Sequence, residues 1–329
     1  MELPVEDKES FFSEMKESRD ILKNMLTTVL FGDAVAAEYL ICHLISKVYI
    51  RSADMLTLGK FTLNLHGLPT AENYSKRLAT LIQLLTCKSH FLPMTVDNFN
   101  KMTFVPKKDF HANRLVSGLL QLPRHTHLVL DETAMSDGRL SPDGLKNLTA
   151  LGNLINWQKV EYDFVYHQIE FTTDVPCLVL SEGRSMLPND AQVMLKPSNE
   201  GLVTAEEISA RFRSVGSELT TAVLDRVRKF ITLSRHMQFS VKDDVQAAVE
   251  RDFVASRQQQ QEPHLRMTAE DLHSMLVLSR LLSLSRAVAT MTEEVWMEVK
   301  ELEKERRGRV AHLPHRARVN GPLAGAGLA

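Results

Sequence analysis

The chain has 329 residues, of which 44% are hydrophobic and 24% are charged, and its formal net charge is −2. This near-neutral balance excludes a globally basic nucleic-acid coat protein and a highly acidic disordered chaperone. The length allows about two domains with buried cores.

The first 90 residues predict two helices, a strand and a third helix. After a charged lead-in, residues 12–26 carry apolar side chains at helical spacing. Asp33 can cap a second helix that runs to about Tyr49. Apolar and polar residues then alternate in KFTLNLHG, which predicts a strand, and the apolar spacing over residues 78–85 predicts a helix after a short loop.

The middle of the chain predicts further strands between helices. MTVDNFN is predicted as a strand, Asn113 to Leu122 as a short helix, and THLVLDET as a strongly apolar strand. Leu145 to Trp157 form the next predicted helix, VEYDFVYHQIEF a long strand or a hairpin, and CLVLSEGRS another apolar strand. Apolar strands that alternate with helices are typical of a mostly parallel sheet covered on both faces.

From about Thr204 onward the sequence predicts only helices. Residues 268–271 are typical of a helix start, and Thr292 can cap the last helix. The end of the chain is basic and then rich in Gly and Ala, which predicts disorder. The organisation we predict is a charged lead-in over 1–25, an α/β core over 26–203, a helical domain over 204–305 and a disordered tail over 306–329.

Cysteine content and hydropathy indicate the compartment. Three cysteines, Cys42, Cys87 and Cys177, stand alone in apolar surroundings. Their low, odd number argues against a disulfide framework and favours a reducing compartment. The charged start lacks the apolar segment of a secretory signal, and no run of about 18 uncharged apolar residues could span a membrane. We therefore expect a soluble intracellular protein.

The sharpest local signal is the acidic pair Asp131 and Glu132 at the end of the apolar strand HLVLDE. An apolar strand that ends in Asp-Glu is the pattern of a Walker B motif, in which the Asp helps to hold Mg²⁺ and the Glu polarises the attacking water. Many buried strands also end in acids at a solvated turn. Both interpretations are open from this segment alone.

A nucleotide site also needs a phosphate-binding loop upstream, and no segment matches G-x-x-x-x-G-K-[ST]. The strand–loop–helix in the corresponding position has one glycine and no lysine at the start of its helix; its residues are His66, Gly67, Pro69, Glu72 and Asn73. Pro69 lacks an N–H group, and Glu72 places a negative charge where a triphosphate would lie. At ~4 Å such a repulsion costs on the order of 4 kcal/mol. The loop therefore has the position of a phosphate loop without its chemistry.

Histidines and cysteines do not predict a metal site. Cys87 and His90 have the spacing of half a zinc site, and Cys42 is adjacent to His43, but no segment supplies the remaining ligands. The other histidines considered are His125, His127, His312 and His315.

A basic run near the end of the chain has two open interpretations. Its members are Lys304, Arg306, Arg307, Arg309, Arg316 and Arg318. Such a run can contact nucleic acid or act as a nuclear-import signal. It can equally be a solvated helix end followed by a frayed tail.

Long strings of the sequence resemble the minichromosome maintenance complex-binding protein family. They include FGDAVAAEYLICHLIS, NRLVSGLLQLPRHTHLVLDET, LGNLINWQKVEYDFVYHQIEF, LVLSEGRSMLP and TAEDLHSMLVLSRLLSLS. The resemblance extends from about residue 20 to about residue 305. The family carries a further N-terminal region, so the sequence is expected to be a fragment or a shorter isoform.

This resemblance implies a degenerate AAA+-like core with a parallel sheet, followed by an all-α helical lid, because the family is distantly related to the helicase subunits. It places residues 66–73 at the phosphate loop of the helicase, Asp131 and Glu132 at its Walker B motif and Ser181 near its sensor. No arginine stands between positions 184 and 211, where the helicase has its arginine finger. We therefore expect no catalytic residue, no cofactor and no metal.

The resemblance further implies a non-catalytic, nuclear binding partner of the minichromosome maintenance helicase. The implied roles are assembly, unloading or chaperoning of helicase subunits in DNA replication and the cell cycle, sister-chromatid cohesion in mitosis and cell division, and association with chromatin through the helicase. Two alternatives stay open: an active ATPase with an unorthodox phosphate loop, and a DNA-binding module that uses the basic tail. No membrane partner is expected, and direct contact with DNA is left open.

Overall fold

The computed structural model describes residues 5–51, 57–198, 203–258 and 267–311. The α-helices in these ranges are α1 Val5–Val29, α2 Ala34–Ile45, α3 Tyr74–Leu85, α4 Val96–Lys101, α5 Pro142–Trp157, α6 Ala205–Glu218, α7 Thr221–His236, α8 Asp243–Gln258, α9 Ala269–Ser285 and α10 Glu293–Ala311. The strands are β1 Ile50–Arg51, β2 Thr57–Leu58, β3 Leu63–His66, β4 Ser89–Pro93, β5 Lys107–Asp109, β6 Arg114–Val116, β7 His127–Asp131, β8 Lys159–Asp163, β9 Gln168–Thr172, β10 Cys177–Leu180, β11 Ala191–Met194, β12 Ser240–Val241 and β13 Thr290–Met291. None of the described helices is long and apolar enough to cross a membrane.

Five strands form a parallel sheet in the spatial order β11–β3–β10–β7–β4. All four pairings are parallel; Leu65 lies opposite Leu180, and Asp131 also lies opposite Leu180. Parallel strands are joined by crossover connections, and α3 lies in the one that leads from β3 to the edge strand β4, with β10 and β7 between them in the sheet. The predicted α/β fold with a parallel sheet is confirmed.

The parallel sheet separates two hydrophobic clusters, as the two-residue period of a strand requires. On β7, Val129 packs into the first cluster, while Leu128 and Leu130 pack into the second. The first cluster is continuous from α1 through α2 to the helices after Thr204, and it includes Leu26 and Trp296. The second cluster lies under α4 and α5.

Three helices begin at the predicted caps, although α2 ends at Ile45, before its predicted end near Tyr49. The Asp33 carboxylate accepts a hydrogen bond from the Ala36 N–H at 3.0 Å, so α2 begins after it. Thr268 and Asp271 form a reciprocal capping box at α9. Thr292 accepts from the Val295 N–H at 3.3 Å at the start of α10. α10 continues to Ala311, and residues 312–329 of the predicted tail lie outside the described residues.

Two predicted elements are wrong. MTVDNFN is not a strand but forms most of α4, because Thr95 accepts a hydrogen bond from the Asn98 N–H and caps a helix there. Residues 113–122 are not a helix: β6 occupies 114–116, and the N–H groups of Leu119 and Leu120 donate to Thr103 and Phe104 carbonyls instead of to their own segment. A local cap thus decides the first case, and tertiary hydrogen bonds override local spacing in the second.

Of the two alternatives predicted for VEYDFVYHQIEF, a long strand or a hairpin, the structure shows the hairpin, in which β8 pairs antiparallel with β9. These strands join β5 and β6 in a second sheet of order β6–β5–β8–β9. The strands β4 and β11 had no predicted counterpart. The helical half also holds the short parallel pair β12–β13, which the sequence did not predict.

Candidate functional site

The loops after β3 and β10 meet at the carboxyl edge of the parallel sheet, where open α/β sheets usually bind ligands. The Gly67 N–H donates to the carbonyl of Glu182 at 2.9 Å, and the Leu68 N–H donates to the carbonyl of Ser181 at 3.3 Å. The predicted phosphate-loop position is therefore in direct contact with the predicted sensor position. Because both N–H groups already have acceptors in the protein, neither is free to bind a phosphate.

The turn before α3 is left-handed at two successive residues, Glu72 (φ 58°) and Asn73 (φ 51°). The Glu72 carboxylate accepts hydrogen bonds from Arg77 at 2.7 Å and from Ser209 of α6 at 3.2 Å. The amino end of a helix carries partial positive charge and attracts anions. Here a carboxylate of the protein itself is held beside that end by Arg77 and Ser209.

Asp131 is buried at the end of β7 and uses both carboxylate oxygens. Oδ1 accepts from the Thr133 N–H at 3.1 Å and from the Thr133 hydroxyl at 2.6 Å. Oδ2 accepts from the Ser75 hydroxyl in the first turn of α3 at 2.9 Å. This bond ties α3 to the end of β7, the predicted Walker B-like strand. Ser75 was not predicted as a site residue from the sequence.

Glu132 follows Asp131 and is bonded to the loop after β10. Its Oε1 accepts from the Ser185 hydroxyl at 2.6 Å. Burial raises the pKa of Glu132, and the Ser185 hydroxyl and the Met186 and Leu187 N–H groups oppose that rise. Residues of the loop after β10, the strand beside β7, thus hold the Glu132 carboxyl group in place.

Ser181 lies at the end of β10 beside β3. Its hydroxyl donates to the carbonyl of Gly183 at 2.7 Å and accepts from the Asn64 side-chain amide at 2.8 Å. Asn64 was not predicted as a site residue, because one buried amide within an alternating strand carries no recognisable signal. These bonds fix the loop after β10 to the middle of β3.

His66 ends β3 and is buried at the same edge. Burial lowers its pKa to about 4, with a further contribution from Arg184. The imidazole is therefore neutral near pH 7 and supplies no positive charge that could replace the missing lysine of a phosphate loop.

Taken together, the carboxylates of Asp131 and Glu132, the Ser181 hydroxyl and the N–H groups of Gly67 and Leu68 all have partners within the protein, whereas the buried His66 Nε2 has none in the part of the chain that the structure describes. Their bonds join the loops after β3, β7 and β10 to the first turn of α3. Within the described residues no group of three or more His, Cys, Asp or Glu side chains is arranged to hold a metal ion. The arrangement can hold loops at fixed positions, and its acids already have donors.

The cysteine and histidine with the spacing of half a zinc site lie elsewhere. Cys87 and His90 line an open cleft of about 620 Å³ near the amino edge of the parallel sheet, together with Lys88 and Arg228. Cys42 and Cys177 are buried, which raises the pKa of both thiols. Of the remaining candidates, His43 and His127 pack ring to ring, His125 packs on His236, and His312 and His315 lie outside the described residues.

Most of the described basic run is used inside the fold. Arg306 pairs with Glu303 at 2.7 Å, Arg307 pairs with Asp271 at 2.9 Å, and Arg309 pairs with Asp33 at 2.6 Å. Lys304 is exposed on α10, and Arg316 and Arg318 lie outside the described residues. Arg307 and Arg309 thus tie α10 to α9 and to the cap of α2. The Arg306 pair lies within α10, but its guanidinium also donates to the Gln192 carbonyl of β11 at 3.0 Å, so all three arginines are used within the fold.

A second candidate site is the sheet of β5, β6, β8 and β9 with its turns, residues 107–116 and 159–172, which we call the aromatic sheet. Its large hydrophobic side chains with high exposure are Phe110, Leu115, Val116, Val165, Tyr166, Ile169 and Phe171. Tyr166 is 86% exposed and packs on Phe110 with ring centroids 5.6 Å apart. Exposed apolar groups concentrated in this way, with aromatic residues among them, are typical of protein–protein interfaces.

Comparisons with known proteins agree on one family. The sequence model described as "Mini-chromosome maintenance replisome factor" matches residues 2–310. Among similar curated proteins, each named "Mini-chromosome maintenance complex-binding protein", that of Salmo salar is 47% identical over 93% of this chain and 48% of its own length. That of Homo sapiens is 46% identical over 92% and 46%, and that of Drosophila melanogaster is 42% identical over 89% and 47%. The chain spans about half the length of these relatives.

Proposed function

The chain belongs to the family of mini-chromosome maintenance replisome factors, and we propose from this membership that it binds one or more subunits of the mini-chromosome maintenance complex. The observation that carries the proposal is the similarity to relatives named for binding that complex, over about nine tenths of this chain. Because the chain corresponds to about half of each relative, the proposal assigns binding to this half.

We propose that the binding is non-catalytic. The support is the state of the carboxyl edge, where the N–H groups of Gly67 and Leu68 and the carboxylates of Glu72 and Asp131 all have protein partners. A bound Mg·ATP would have to displace several of these hydrogen bonds, each worth about 0.5–1.5 kcal/mol net. The protein would recover no lysine charge in exchange.

We propose further that residues 26–203 are a degenerate AAA+-like core and residues 204–305 its helical lid. The support is the adjacency of β3, β10 and β7, which brings together the loops that the resemblance assigns to phosphate, sensor and Walker B positions. A module of this shape would pack beside a helicase subunit as another subunit does, without completing the hydrolysis cycle of its neighbour. This property suits a nuclear factor that assembles, unloads or chaperones helicase subunits, with a consequent role in sister-chromatid cohesion.

Co-purification tests the binding. The chain is co-expressed with each subunit of the complex singly, and each mixture is resolved by size exclusion with and without Mg·ATP. We expect at least one subunit to co-elute with the chain, equally in both conditions, because the chain itself contributes no nucleotide site. Co-elution with none of the subunits would overturn the proposal.

Phosphate release from ATP tests the non-catalytic part. The unmodified chain and Glu132→Gln are compared under identical conditions. We expect no release above background in either sample. Release by the unmodified chain that Glu132→Gln abolishes would instead assign an ATPase activity to the carboxyl edge. A tagged chain in cells tests the nuclear location, and exclusion from the nucleus would contradict it.

A further inference from the structure

The strand β9 is one edge of the aromatic sheet, and its pairing shows which of its backbone groups point outward. In the antiparallel ladder with β8, the Phe164 N–H donates to His167 and the Thr173 N–H donates to Gln158. The backbone N–H and C=O groups of the odd-numbered residues of β9 therefore point towards β8, because the hydrogen-bonded positions alternate along an antiparallel pair. The N–H and C=O groups of Gln168, Glu170 and Thr172 point to the open side.

Within the described residues no strand pairs with this open side of β9, and all five residues of β9 are exposed. Edge strands of this kind are usually shortened, bulged or covered, because their free backbone groups accept further strands. β9 pairs with β8 over five residues without a break in register. It therefore offers an extended polypeptide a continuous row of donors and acceptors.

One face of this edge is apolar. Ile169 and Phe171 are 40% and 45% exposed, and they lie on the same face as Tyr162, whose ring centroid is 4.3 Å from that of Phe171. Side chains of an added strand would alternate across the same two faces. Every second residue of such a strand would lie beside Ile169 and Phe171 and would cover them if it were apolar.

The opposite face carries excess negative charge at the edge. Glu161 and Glu170 lie directly opposite each other, and Lys159 pairs with Glu170 at 2.6 Å. Asp163 on the same face lies across from Lys107 of β5, and Glu161 accepts a hydrogen bond from the Asn153 amide at 3.3 Å, so Lys159 is paired with Glu170 and not with Glu161. Like charges directly opposite in a sheet are destabilising. A cationic side chain at the open side of Glu170 would relieve this repulsion.

We propose that an extended segment of a mini-chromosome maintenance complex subunit, with apolar and basic side chains in alternation, adds to the free edge of β9 as a further strand. The backbone groups of Gln168, Glu170 and Thr172 hold it, Ile169 and Phe171 pack against its apolar side chains, and Glu170 faces its basic ones. This inference rests on the proposed function and names the surface and the mode of binding.

The variant Glu170→Pro, compared with Glu170→Ala, tests strand addition in the full chain. Both remove the carboxylate and its pair with Lys159, but only proline removes the outward N–H, which β8 does not use. The probe is whichever purified subunit the unmodified chain binds. We expect the dissociation constant of Glu170→Pro to be at least tenfold higher than that of Glu170→Ala, with equal midpoints of thermal unfolding for the two variants. Equal affinities would overturn the inference while leaving the proposed function intact.

Amide hydrogen exchange on the unmodified complex gives an independent readout that does not depend on a variant folding. We expect binding to protect the amides of Gln168, Glu170 and Thr172, while those of Ile169 and Phe171 change little because β8 already bonds them. Protection without this alternation would overturn strand addition. A dimer of the free chain that Glu170→Pro converts to monomer would also overturn it, by assigning the edge to a second copy. Failure of the unmodified chain to bind any subunit would instead overturn the proposed function.

Discussion

Asp131 sits at the centre of the polar contacts at the carboxyl edge, with Ser75 on one oxygen and Thr133 on the other. Asp131→Ala leaves two hydroxyls and one N–H without their acceptor in a largely buried place. We expect the free energy of unfolding to fall by about 1–3 kcal/mol, measured by urea denaturation. Asp137→Ala on the exposed loop that follows is the control, with an expected change within about 0.5 kcal/mol. Equal losses in the two variants would contradict a structural role for Asp131.

His43 makes stability depend on pH. It is buried, and its Nδ1 lies 2.9 Å from the carbonyl oxygen of Phe61. Burial lowers its pKa to about 4; the hydrogen bond to the Phe61 carbonyl opposes this shift, and the nearby Arg235 contributes to it. An unfolded histidine titrates near pH 6.5, so below that pH the unfolded chain binds more protons than the native chain. Stability is therefore expected to fall as the pH decreases from about 6.5 towards 4, by on the order of 3 kcal/mol for this group when the loss is complete.

Urea unfolding at pH 7, 6 and 5 measures this effect, with His43→Gln as the test variant. As the pH decreases, the stability of this variant is expected to fall less steeply than that of the unmodified chain, because it lacks one histidine whose pKa is lowered in the folded state. His127 beside it, whose pKa burial also lowers, continues to contribute a slope in both proteins. His111→Gln, on an exposed turn, should retain the full slope. Parallel curves for His43→Gln and the unmodified chain would contradict the assignment.

The sequence supports part of the candidate site and not the rest. Strand-end position singled out Asp131 and Glu132, and the family resemblance singled out Ser181. The structure places all three at one sheet edge, and their descent from a nucleotide site stays a prediction. Their partners Ser75 and Asn64 could not be predicted. A hydroxyl in a helix or an amide in a strand gives no periodic signal, because its partner is set by tertiary packing.

At the level of elements, Asp33 joins α2, β11 and α10. Its Oδ1 accepts from the Ala36 N–H, and its Oδ2 accepts from the Lys196 N–H at 2.9 Å and from Arg309 at 2.6 Å. Asp33→Asn keeps one oxygen for the cap but turns an amide donor toward two other donors, the Lys196 N–H and Arg309, whereas Asp33→Ala removes all three hydrogen bonds without adding a donor. We expect each variant to cost about 3–5 kcal/mol in unfolding free energy.

The matched control for Asp33 is Glu301→Ala on α10. Glu301 lies 3.6 Å from Lys304 in an ion pair whose side chains are both more than 70% exposed. Exposed pairs of this kind are worth about 0–1 kcal/mol. Thermal and urea unfolding of all three variants give the comparison. A cost for Asp33→Ala no greater than that for Glu301→Ala would contradict the view that this junction holds α10 to the core.

The elements that could be predicted from the sequence are those with a strong hydrophobic periodicity or clear capping residues. Helices such as α5 and α9 have both, and they are confirmed. Strands β4 and β11 are short, and their residues Ser89–Pro93 and Ala191–Met194 show neither alternation nor a pure apolar run. Their places in the sheet depend on parallel neighbours far away in the chain. A single-sequence pattern contains no record of such pairing.

At the scale of the whole molecule, the predicted division near Thr204 does not coincide with a gap in the core. The helix α1 lies in the same hydrophobic cluster as Phe230 of α7 and Trp296 of α10, on one face of the parallel sheet. Lys229 and Arg226 of α7 also pair with Glu14 and Glu17 of α1. The first and last thirds of the chain are thus packed together, so separating them would expose a large part of this cluster to water.

The continuous core predicts that the α/β part and the helical part unfold together. The chain has two tryptophans: Trp157 at the carboxyl end of α5, which is 47% exposed, and Trp296, which is buried in the first cluster. In Trp296→Phe the remaining fluorescence reports on the α/β part, and in Trp157→Phe it reports on the helical part. Within each variant we expect the urea transition seen by fluorescence to coincide with that seen by circular dichroism. Because each variant is compared only with itself, a loss of stability from either substitution does not disturb the test. A fluorescence transition at a lower or higher urea concentration than the circular dichroism transition would mean that the parallel sheet divides the molecule into two independently folding units.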